Sequence, residues 1–71
     1  MNEHEKYYIK ARIVYEDHNA FELKEVFCQK EFGSSTLNSK IPLIDIIADF
    51  YSAFENCDIV DINIIKKYFK E

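Results

Sequence analysis

The sequence predicts a small α+β domain of order β-β-α-β: a three-stranded, mostly antiparallel sheet with one helix packed on a face. Three observations predict it. Residues 7–16 alternate in polarity, residues 42–56 carry apolar side chains at helical spacing, and residues 58–66 alternate again. With 71 residues, the chain is read as a single domain spanning 1–71. Hydrophobic residues form 48% of it, with one Gly and one Pro, which excludes a disordered tail. A chain this short buries only about 60% of the surface its unfolded form exposes. Some apolar side chains must therefore stay outside, where a second chain can cover them.

The first strand is the clearest element. In YYIKARIVYE, Tyr7, Ile9, Ala11, Ile13 and Tyr15 point one way and Tyr8, Lys10, Arg12, Val14 and Glu16 the other. A period of two in β-branched and aromatic residues marks a strand with one buried face. Asp17-His18-Asn19 reads as the following turn.

Residues 20–32 fit two patterns. As a strand paired with the first, Phe21, Leu23 and Phe27 face the core and Glu22, Lys24 and Lys30 lie outside, with a bulge to absorb Val26 and Cys28. As a helix, Asn19 is the N-cap, Glu22 completes a capping box and Gly33 follows the end. The strand is preferred, because the first strand needs an antiparallel neighbour and this segment is the closest.

Gly33 to Lys40 is loop-like, and Pro42 suits the first turn of a helix over 42–56. Its polar stripe is Asp45, Asp49, Ser52 and Asn56, while Ile46, Phe50 and Phe54 form a stripe to lay on the sheet. A helix covering one sheet needs an apolar arc of little more than about 100°. This one is apolar around most of its circumference, and Ile44 and Tyr51 fall on the far flank. Residues 58–66 are read as the third strand, with Val60, Ile62 and Ile64 on one side; a helix capped by Asp58 competes.

The net charge of −4 is unevenly spread. Residues 41–65 hold five acids and no base, whereas the tail carries Lys66, Lys67 and Lys70 against Glu71. An acidic surface of this kind is either a solvated helix face or the complement of a basic partner.

Catalytic patterns are thin. Asp17-His18 with a cysteine suggests a Cys-His pair, but no nucleophile signature accompanies it. His4, His18, Cys28 and Cys57 match a zinc ligand count without the close ligand pairs of structural sites. A single glycine excludes a glycine-rich phosphate loop. The reading is therefore a non-enzyme, with no catalytic residue, metal or cofactor. Met1 to Lys6 lacks the apolar stretch of a secretory peptide, and no apolar run approaches the roughly 20 residues that span a bilayer. With two cysteines read as reduced thiols, the expected location is cytoplasmic, away from membranes.

The function expected from these features is that of a protein-interaction module whose partner surface is the helix face of Ile44, Asp45, Asp49, Tyr51, Ser52 and Glu55. The partner is another protein or a second copy in a homodimer. Residues with A/T-rich codons total 35, against 7 with G/C-rich ones. That bias suggests a phage or mobile-element accessory protein that inhibits a host defence or regulatory protein. The alternatives are a purely structural homodimer and a small nucleic-acid-binding regulator using the sheet face of Tyr8, Lys10, Arg12 and Lys24. A pI of about 5.1 opposes the latter, since phosphate neutralisation supplies most non-specific affinity.

Overall fold

A computed structural model describes residues 6–69. His4 of the supposed zinc set and Lys70 and Glu71 of the charged tail lie outside the described residues. The chain forms β1 (Lys6–Asp17), β2 (Glu22–Gly33), a short 3-10 turn (Ser34–Thr36), α1 (Ile41–Ala53) and β3 (Cys57–Phe69). The sheet order is β2-β1-β3, with both pairings antiparallel. The fold is thus a small α+β one, a three-stranded sheet with one helix. Both 20–32 and the C-terminal segment are strands, so the helical alternatives fall away.

β1 lies at the centre, and its buried face is the one its alternation predicts. Tyr7, Ile9, Ala11, Ile13 and Tyr15 are all buried, together with Phe32, Ile46 and Phe50. Rings make the far end of this core: Phe50 stacks on Phe54 at 4.6 Å, and both contact Tyr15. At the other end the loop before α1 covers Tyr7, whose hydroxyl lies 3.0 Å from Thr36 Oγ1. Lys67 Nζ holds this loop down by donating to the Leu37 carbonyl.

β2 corrects the expectation about its faces. The predicted turn, Asp17–Asn19, would pair Glu16 with Ala20 and send Phe21, Leu23 and Phe27 to the core. The actual loop runs over 18–21 and pairs Asp17 with Glu22. A register shifted by one residue moves every side chain to the opposite face. Val26 and Cys28 accordingly pack on the core with Phe32, and no bulge is needed across twelve consecutive pairs. Leu23 and Phe27 lie on the open face of the sheet and are exposed. Lys24 and Glu22 lie on the helix side, with Lys24 paired to Asp17, so Lys24 cannot belong to a face with Tyr8, Lys10 and Arg12.

The loop is closed by amides of Ala20 and Phe21 donating to the Asp17 carbonyl, and by the Asn19 amide on the Asp17 carboxylate. Lys24 and that amide hold the Asp17 carboxyl below its ordinary range. Phe21 ends the loop with φ 54 and its ring 87% exposed. The left-handed region is unfavourable for a side chain and open to glycine. Phe21→Gly should therefore raise stability by about 0.5–1 kcal/mol, read as a higher urea midpoint with an unchanged slope. A loss of stability would show that the ring makes contacts worth more than the strain.

β3 is longer than expected and irregular. Between the pairs Val14↔Asp61 and Tyr15↔Ile59 it carries an extra residue, Val60, and between Lys10↔Lys66 and Ala11↔Ile64 another, Ile65. These bulges reset the alternation. Ile59, Ile62 and Ile64 face the helix side, whereas Val60 drops out of the set the sequence assigned to it.

α1 starts at Ile41, with Pro42 in its first turn, and ends three residues before the expected Asn56, which instead takes φ 57. Pro42, Ile46 and Phe50 are its buried residues, with Phe54 partly buried beyond its end.

Candidate functional site

Five of the six residues expected to meet a partner lie on α1, and Glu55 lies beyond its end. Asp45 and Asp49 look toward β2, where Asp49 pairs with Lys30 and Asp45 adds to the field that raises the Lys30 ammonium. Ile44 and Tyr51 look outward and toward β3. The Tyr51 hydroxyl accepts a hydrogen bond from the Ile59 amide at 3.1 Å, which seats this flank over the outer edge of β3. Ser52 and Glu55 are exposed.

Seven helical residues rise about 10.5 Å, the length of roughly three strand residues. Ile44 lies two turns before Tyr51 on the same flank of α1. Ile44 is 61% exposed and Tyr51 46%, and Val60, Ile64 and Ile65 are exposed as well. Of the ten large hydrophobic side chains exposed among the described residues, seven belong to α1 and β3. The sequence pointed to Ile44 and Tyr51 through the width of the apolar arc. It missed the β3 contribution, because only the bulges bring Val60 and Ile65 to the surface.

The open sheet face holds the remaining residues of the alternative reading. Tyr8, Lys10 and Arg12 lie on it, and β3 adds Lys66 and Tyr68 directly opposite Lys10 and Tyr8. The two tyrosine rings are 5.4 Å apart, Lys66 sits 4.7 Å from the Tyr68 ring, and Lys10 lies 6.0 Å from that of Phe27. Arg12 is engaged by Glu25 at 2.5 Å. Lysines and aromatics thus occupy one end of the face, with Glu31 opposite Tyr8 among them, while Glu16, Asp58 and Asp61 occupy the other.

Between α1 and β2 runs an apolar groove of about 400 Å3, floored by Ile13, Val26, Cys28, Ile46, Phe50 and Phe54. The Lys30–Asp49 ion pair spans it. Burial raises the Cys28 thiol above its ordinary value, and desolvation raises Cys57 too. Both shifts work against a thiolate nucleophile. His18 Nε2 lies 2.7 Å from Asp58, so its side chain is placed by a carboxylate on β3. Among the described residues, no three His, Cys, Asp or Glu side chains gather where a metal could be held. No helix among them is long and apolar enough to cross a membrane.

No protein-family model, curated protein or solved structure matches the chain.

Proposed function

We propose that the chain is a non-enzymatic protein-interaction module that meets a partner with the outward flank of α1 and the adjoining part of β3. The observation that carries this reading is the concentration of exposed apolar side chains on those two elements. Large exposed apolar surface marks interaction sites and is otherwise an aggregation liability. Glu55 and Asp58, which line a depression with Tyr51 at the exit of α1, favour a partner with a basic rim. The short acidic chain and its A/T-biased composition support the narrower reading of a phage or mobile-element accessory protein that inhibits a host protein in the cytoplasm.

The test is the double variant Ile44→Asp with Tyr51→Lys. Affinity purification from the native host should recover a stoichiometric protein with the wild type and at least tenfold less with the variant, whose circular dichroism is kept. Equal recovery would remove the flank from the interface. Recovery of the chain alone, with sedimentation that depends on concentration and is abolished by the double variant, would make the partner a second copy.

A second reading, a nucleic-acid-binding regulator, is favoured by one observation: Tyr68 and Lys66 extend the Tyr8–Lys10 cluster across two strands. Single-strand binders use stacking rings flanked by cations. A gel shift with single-stranded DNA or RNA that weakens steeply with salt would support it.

A further inference from the structure

The two edges of the sheet are built differently. β3 is an edge that blocks further pairing: two bulges break its register, and the Tyr51 hydroxyl occupies the Ile59 amide. β2 has neither device. It runs for twelve residues in unbroken register with β1, has no proline, and among the described residues its other side pairs with no strand. Half of its amides and carbonyls therefore point outward along a straight edge.

Directly beside that edge, on the helix side, lies the groove between β2 and α1. A small ligand or a helix in the groove would cover the apolar floor and leave the edge groups to water. An extended chain does both, hydrogen-bonding to β2 while every second side chain enters the groove. The floor follows β2 from Val26 to Lys30, about 13 Å, which admits two or three such side chains. The charges select further. Asp45 and Asp49 rim the helix side, and the lysine near them, Lys30, is already paired with Asp49. The Lys30–Asp49 pair across the groove is partly exposed, its side chains 35% and 62% accessible, and such pairs are weak, so an incoming cation can replace Lys30 at modest cost.

We infer that β2 and the groove beside it form a strand-addition site for an extended segment of a partner protein, with apolar residues at alternate positions and a Lys or Arg beside Asp49. A second copy fits less well, because a twofold β2–β2 pairing would turn the acidic Asp45–Asp49 side of each helix toward the other. The site shares no residue with the Ile44–Tyr51 flank and stands independently of that surface.

The probe is a library of random dodecapeptides displayed on phage, selected against the full chain carrying Cys57→Ser. Selected peptides should alternate apolar residues with Lys or Arg. Binding of the synthetic consensus should weaken at least tenfold in Ala53→Trp, which fills the mouth of the groove, and in Asp49→Lys, which reverses its rim. It should stay within twofold in Ile44→Asp/Tyr51→Lys. The bound peptide should slow alkylation of Cys28 by N-ethylmaleimide by at least tenfold. Failure to enrich such peptides, equal binding to folded Ala53→Trp and Asp49→Lys, or an unprotected Cys28 would each overturn the assignment. So would a β2-paired dimer in sedimentation that the peptide does not dissociate.

Discussion

Phe50→Ala should destabilise the protein by about 3–5 kcal/mol, the range for removing a buried Phe. Phe50 is 4% exposed and is the hub of the ring cluster, 5.1 Å from Tyr15, 5.3 Å from Tyr51 and 4.6 Å from Phe54. Its loss leaves a cavity at the one place where α1 is clamped to the end of β1. The neighbouring rings are flat and Tyr15 is fixed in the central strand, so they fill it only in part. Native domains of this size hold roughly 4–10 kcal/mol in all, so the substitution removes a large share of the stability. Urea titration followed by circular dichroism should show either a much lower midpoint or a population already largely unfolded. A cost below about 1 kcal/mol would mean that the helix is clamped elsewhere.

The second large effect concerns the opposite end of the core. Tyr7 is fully buried in the central strand, and its hydroxyl meets Thr36 Oγ1 at 3.0 Å. Thr36 in turn donates to the Gly33 carbonyl at 2.8 Å, so its proton is committed and Tyr7 is the donor. Thr36→Val strands that hydroxyl, at a cost of about 1–3 kcal/mol, whereas Tyr7→Phe loses only the bond, about 0.5–1.5 kcal/mol. In the double variant no buried group is left unpaired, so its cost should fall below the sum of the singles by about 0.5–1.5 kcal/mol. Denaturation of the four proteins measures this coupling. Strict additivity would show that water takes the place of Thr36.

Much of the fold was legible because β1 is central. A strand buried on one face and paired on both edges shows its period in full, and Tyr7 to Tyr15 display it without exception. The α1 stripe of Ile46, Phe50 and Phe54 was legible for the same reason, at a different period. β2 was legible as a strand but not in its orientation. Its inner and outer faces are almost equally apolar, Val26, Cys28 and Phe32 against Leu23 and Phe27, so pattern alone could not choose between them. On β3, the bulges at Val60 and Ile65 hide the period of two that the strand otherwise keeps.

The candidate sites divide along the same line. Composition and the width of the α1 arc identified a surplus of apolar side chains and named Ile44 and Tyr51 as its exposed members, because both properties belong to single residues and their local spacing. Everything that depends on which elements meet was decided by the tertiary structure. The loop over 18–21 turned Lys24 away from the Tyr8 face, and the β1–β3 register brought Lys66 and Tyr68 onto it. The groove joins Ile13, Val26, Cys28 and Phe50 from three separate elements. The physical reason is that local sequence determines what a segment becomes and how much of it must be buried, whereas one residue of loop or one bulge, each a small local energy, determines which face it turns to its neighbours.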